Sequence, residues 1–124
     1  MHHAEFSCRV TTRFLPEQSD PAANVYAFAY TVTIRNTGDT AAQLIARHWH
    51  IADATGRSED VRGLGVVGQQ PLIRPGEQFE YSSWTRLAAP RGRMEGTFYC
   101  MTDEAESVEA AVPPFDLATG QALH

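Results

Sequence analysis

Across residues 26–34 the large side chains fall on every second position, Tyr26, Phe28, Tyr30, Val32 and Ile34, and Ala27, Ala29, Thr31 and Thr33 fill the places between. A period of two turns one set of side chains to a common face of an extended chain, whereas a helix returns every third or fourth residue to one face. The segment therefore predicts a strand packed heavily on one side, with small, β-compatible groups on the other. Residues 5–15 predict the strand before it, ended by Pro16 and the Glu17-Gln18-Ser19-Asp20-Pro21 segment. Asn36-Thr37-Gly38-Asp39 closes the second strand in the same way.

Residues 43–53 are β-rich but less clean. Leu44, Ala46, His48 and His50 share one face, and Ile45, Arg47, Trp49 and Ile51 the other, so neither is wholly apolar. Ala54-Thr55-Gly56-Arg57 reads as a turn, after which residues 58–61 pair back as a short strand. A glycine-rich stretch follows over residues 62–68, then residues 69–73, stopped by Arg74-Pro75-Gly76. Residues 77–83 alternate again through Phe79 and Tyr81, Pro90-Arg91-Gly92 supplies a turn, and residues 94–101 pair with a last strand over 107–112. Seven to eight short antiparallel strands with no amphipathic helix predict an all-β sandwich, with a closed barrel as the alternative architecture. After Pro113-Pro114, Phe115 and Leu117 are expected to dock on the sandwich and residues 118–124 to be mobile.

Length and charge narrow the function. A chain of 124 residues with 43% hydrophobic content is one domain, residues 1–124, with one modest core. Fifteen acidic against ten basic residues leave a net charge of −5, and every basic residue is arginine. Schiff-base and P-loop lysine chemistry have no candidate residue, and the clustered positive charge that nucleic acid requires is not evident, so no nucleic-acid partner is expected. No run approaches the roughly 20 apolar residues that span a bilayer, and the N-terminal segment lacks the basic and apolar regions of a signal peptide. A cytoplasmic protein without a membrane partner is expected, in which Cys8 and Cys100 are buried thiols in strands.

Gly63-Leu64-Gly65-Val66-Val67-Gly68 has the spacing of a dinucleotide fingerprint, but that site needs its third glycine at the start of a helix, and Pro71 and Pro75 would interrupt one. Here Gly63, Gly65 and Gly68 are expected to bend backbone or admit close approach, with an anion cradle beside Arg62 or Arg47 as the competing use. His48-Trp49-His50 places two imidazoles on one strand face, a spacing that zinc sites use, yet two ligands do not make a site, and no metal or cofactor is assigned. Trp49 and Trp84 suit either core packing or an interface, since interfaces favour Trp and Arg anchors. The acidic Asp103-Glu104-Ala105-Glu106 segment reads as a solvated hairpin tip. No nucleophile elbow and no activated cysteine is present, so catalysis is not expected.

Arg47-His48-Trp49 with Ile51, the glycine sextet, and Arg74-Pro75-Gly76-Glu77 leading into Phe79-Glu80-Tyr81-Ser82-Ser83 together resemble the ApaG family. Phe14-Leu15-Pro16-Glu17-Gln18-Ser19 and Gly92-Arg93-Met94-Glu95-Gly96 fit as well, and the resemblance runs from about residue 8 to residue 124. It departs at Trp84-Thr85-Arg86, where a glycine and then a small or apolar residue would be expected. The resemblance implies a fibronectin type III-like or immunoglobulin-like sandwich in a cytoplasmic bacterial protein. It also implies a link to cobalt resistance and magnesium efflux, under the family's other name CorD. Its gene tends to neighbour a diadenosine tetraphosphatase and an rRNA dimethyltransferase, and similar domains in an F-box protein and a polymerase-delta-interacting protein look like protein-binding modules.

The expectation is a non-enzymatic protein-interaction module that offers Arg47, His48, Trp49, Arg62, Gly63, Gly65 and Gly68 to an unidentified protein. The competing expectation is a small-ligand binder holding phosphate, pyrophosphate or a divalent metal at the glycine-rich loop.

Overall fold

The computed structural model describes residues 3–120. Eight strands form two antiparallel sheets, with two 3₁₀ turns, Pro16–Gln18 and Pro21–Ala23, between the first and second strands. β1 (Phe6–Phe14), β2 (Tyr26–Asn36) and β6 (Gln78–Leu87) make a three-stranded sheet with β2 at its centre. β4 (Ser58–Leu64), β3 (Ala42–Asp53), β7 (Arg91–Thr102) and β8 (Ser107–Ala118) run side by side in the second sheet, and β5 (Leu72–Ile73) pairs with the start of β3. The expected sandwich is borne out. Among the described residues no helix is long and apolar enough to cross a membrane.

The alternation in β2 gives the predicted result: Phe28, Tyr30, Val32 and Ile34 are buried against the other sheet. The ambiguity in β3 has a physical cause. Leu44 pairs with Cys100 but Ala46 pairs with Tyr99, so Ile45 is an extra residue, a β-bulge. Before it the even positions Ala42 and Leu44 face the core; after it the odd positions Trp49 and Ile51 do. A one-residue insertion flips every later side chain, and a strict alternation rule mixes the two faces.

β8 contains a second shift, between the Gly96–Val112 and Met94–Phe115 pairs. Pro113 and Pro114 sit there, and the inward set changes from Ala110 and Val112 to Leu117. Proline lacks a ladder donor and is tolerated at bulges and edges, so the strand passes through both prolines to Ala118 instead of ending at Val112. Ala118, expected in a mobile tail, is thus a strand residue paired with Arg91; residues 121–124 lie outside the described residues. Likewise β4 extends to Leu64, β7 starts at Arg91 where a turn was expected, and β6 runs to Leu87, which places Trp84 inside a strand instead of at its end.

Trp49 occupies the centre of the core. Its ring meets Tyr30 at 5.6 Å, Phe98 at 5.7 Å and Phe115 at 6.0 Å, each edge-to-face, the favoured geometry for aromatic quadrupoles. The indole also lies over its cross-strand partner Gly96, where a Cβ would come within 2.6 Å of the ring and of the His48 carbonyl. Glycine is needed at that position for lack of space. Asn36, at the end of β2, is fully buried and pairs both polar atoms of its amide: Nδ2 donates to the Thr40 carbonyl (2.8 Å) and the Ile73 carbonyl (3.0 Å), and Oδ1 accepts from the Gly38 amide (2.9 Å). It ties the three-stranded sheet to β5 of the other. Both cysteines are free, and burial pushes their thiols up, Cys8 to about 11 and Cys100 to about 12, which keeps them protonated and poorly nucleophilic at neutral pH.

Candidate functional site

The glycine-rich stretch leaves the end of β4 as a tight turn. Val66 and Gln69 exchange both backbone hydrogen bonds, at 2.8 and 2.9 Å. Val67 and Gly68 between them both have positive φ, 43° and 80°, as a two-residue type I′ connection requires. Gly68 accepts that conformation freely, whereas Val67, β-branched, is strained in it. Val66 is fully buried and anchors the turn, while Val67 is exposed at its tip.

The bulge in β3 fastens this loop. The carbonyl of its extra residue, Ile45, accepts from the Gly65 amide (2.7 Å) and from Gln70 Nε2 (2.9 Å), and Gln43 Nε2 donates to the Gln70 carbonyl (3.0 Å). Arg47 faces inward on the strand, and its guanidinium donates to the carbonyls of Leu64 (3.1 Å) and Gly65 (2.9 Å). The same guanidinium lies across Gly63, where a Cβ would be 2.9 Å from it. Gly65 has φ +64° and faces the Gln69 carbonyl too closely for any side chain. Each glycine therefore has a steric or conformational reason. The amides of Gly65, Val66 and Gln69 are already donating within the protein, so those three are not open to an anion.

The sequence-predicted site residues divide among three places. Arg47, Gly63, Gly65 and Gly68 are parts of the braced loop. Trp49, 3% exposed, is core, so its influence on any partner is through support of the strand above it. His48 and Arg62 are cross-strand partners on the outer face of the five-stranded sheet. There His48 Nε2 (2.9 Å) and His50 Nδ1 (3.1 Å) both meet one oxygen of Asp60. These hydrogen bonds, that of His48 first, hold the Asp60 carboxyl below its ordinary value. Among the described residues no group of three His, Cys, Asp or Glu is arranged to hold a metal ion.

What sequence reasoning missed is the apolar surface beside the loop. Leu64 is 75% exposed, and Val67, Leu72, Tyr99 and Met101 are exposed as well. Ala46 pairs with Leu64 on one side and Tyr99 on the other, and Gln43 pairs with Leu72 and Met101, so these residues form two adjacent rows on one outer face. A hollow of about 260 Å³ opens over the bulge, lined by Ile45, Tyr99, Met101, Val108 and Glu109 among others. Only the strand register reveals this patch, and the register depends on the bulge.

A braced, strained turn beside an apolar outer sheet face thus belongs to a small antiparallel β-sandwich domain. The chain belongs to the ApaG family: residues 16–102 match the ApaG domain. It is 50% identical to Protein ApaG of Ralstonia nicotianae over 124 residues, covering 100% of both chains. Protein ApaG of Pseudomonas aeruginosa PAO1 is 52% identical over 120 residues, 97% of this chain and 95% of that protein. A crystal structure of an ApaA protein from Bordetella pertussis superposes with a TM-score of 0.92 at 49% identity, covering 96% of this chain and 97% of that one.

Proposed function

We propose that the protein is a non-enzymatic interaction module that presents the loop of residues 62–70, with the apolar sheet face beside it, to another protein. The observation that carries this reading is Val67: a β-branched side chain held in the left-handed region at an exposed tip, three residues after the exposed Leu64. Such backbone strain costs on the order of 1–3 kcal/mol and persists where the surroundings over-determine it; here Arg47, Ile45 and Val66 do so. Covering an exposed Leu or Val returns roughly 1.5–3 kcal/mol each, so a partner surface would recover what solvent exposure leaves unused. The bracing keeps the loop in one conformation before binding, which lowers the ordering cost of association. The phosphate-binding alternative gains no donor from the amides of Gly65, Val66 and Gln69, which are occupied.

Affinity capture from lysate with the wild-type chain beside Leu64→Asp and Val67→Asp tests the reading. The expected result is a specific partner lost in both variants while their thermal unfolding matches wild type. Identical recovery by all three would remove it. Calorimetry with pyrophosphate separates the alternative: heat abolished in Arg62→Ala would favour ligand binding, and no heat is expected.

A further inference from the structure

The outer face of the three-stranded sheet lies apart from the loop and plays no part in the function proposed above. Its positions follow from the register. β1 contributes Arg9, Thr11 and Arg13, β2 contributes Ala29, Thr31 and Thr33 opposite them, and β6 contributes Glu80, Ser82, Trp84 and Arg86. Over residues 29–33 the central strand thus carries small side chains, flanked by Arg13 and Trp84 in one row and by Arg9 and Glu80 in another. The result is a trough along β2, with Thr31 and Ser82 hydroxyls bonded to each other (2.7 Å) on its floor.

The walls are chemically distinctive. Trp84 is 57% exposed, and the Arg86 guanidinium stacks 5.0 Å from its ring centre. Arg13 stands in the same cross-strand row as Trp84, with Ala29 between them, and Arg35 closes the far end opposite Gln78. Four arginines therefore share this face, and none of them has an ion-pair or side-chain hydrogen-bond partner among the described residues. The carboxylate on the face, Glu80, takes a hydrogen bond from Thr33 (3.2 Å), and Glu17 lies in the bordering 3₁₀ turn. In a chain of net charge −5 this is a marked separation of charge. Beside Trp84 a depression of about 270 Å³, lined by Leu15, Gln18, Trp84 and Arg86, is large enough for an aliphatic side chain.

We propose that this trough binds an extended acidic segment of a partner protein, with an apolar residue of that segment seated against Trp84. Arginine pairs with carboxylates through two parallel hydrogen bonds, and Trp and Arg are the residue types that most often anchor interfaces. Arg9 and Arg13 are four residues apart on one strand, about 13–14 Å at the strand rise, which matches carboxylates four residues apart on an extended segment. A single-stranded nucleic acid fits less well, because sheet platforms of that kind stack two or three bases on several aromatics and the outward positions of these three strands hold one, Trp84.

Fluorescence anisotropy with a labelled peptide of alternating Glu and Ser carrying one central Leu tests the assignment, with the Lys-for-Glu peptide and a short oligothymidine as comparison probes. The expected result is saturable binding of the acidic peptide alone, weakened about tenfold by Trp84→Ala and about fivefold by Arg13→Ala. Arg62→Ala, on the other sheet, should leave it unchanged. All three variants sit at exposed positions and should keep the wild-type melting temperature. No binding at millimolar peptide, equal loss in Arg62→Ala, or oligothymidine binding as tightly as the peptide would each overturn the proposal.

Discussion

The two outer faces of the sandwich are built by the same alternation yet have opposite chemistry. The three-stranded face is polar and cationic, with one exposed tryptophan over a floor of Ala29, Thr31 and Thr33. The five-stranded face is apolar near the loop, through Leu64, Leu72, Tyr99 and Met101, and carries the His48–Asp60–His50 network farther along. Inward positions are constrained by packing, so both sheets contribute similar side chains to the core. Outward positions are free of that constraint, and there the two sheets diverge. A net charge taken over the whole chain hides the contrast, because acidic residues elsewhere cancel the arginines of one face.

The comparison assumes a shared core that holds both faces. Trp49→Ala is expected to destabilise the protein by about 3–5 kcal/mol, the range for losing a large buried aromatic, measured by urea unfolding. A loss below about 1 kcal/mol would mean that Trp49 does not join the sheets. A smaller effect sharpens the view of the loop: Val67→Gly should stabilise by about 1 kcal/mol by removing a β-branched residue from the left-handed region, and destabilisation would show that the turn is not strained. The smallest concerns the His–Asp–His network. Because the Asp60 carboxyl is held below its ordinary value by His48 and His50, its stabilisation is present above about pH 4, the unfolded carboxylate value, and is lost as pH falls through the lower folded value. Asp60→Asn should therefore be slightly less stable than wild type at pH 7, with the gap closing below pH 4. A gap that widens in acid would contradict the assignment.

The sequence made β2 legible because nothing interrupts its period; the same rule failed on β3 because Ile45 bulges and on β8 because Pro113 and Pro114 do. The glycines of residues 63–68 were readable as backbone-bending positions, and their φ values and close contacts agree. Their bracing was not readable, since it depends on Arg47 crossing Gly63 and on the Ile45 carbonyl, both set by register. Trp49 suited core packing on sequence yet was also expected to offer a binding surface, and the bulge turns it into the core. Asn36 looked like a turn residue and does end a strand, but its buried amide joins the two sheets, a role that no local pattern encodes. The small residues of β2 were evident, whereas the trough they floor needs both neighbouring strands in register.

Amide hydrogen exchange followed by NMR, with and without pyrophosphate, tests the claim that the glycine-rich loop is a self-satisfied turn presenting apolar side chains. Slow exchange at Gly65, Val66 and Gln69, unchanged by pyrophosphate, is the predicted result. Rapid exchange at those three amides that slows when pyrophosphate is added would contradict it and show donors held open for an anion.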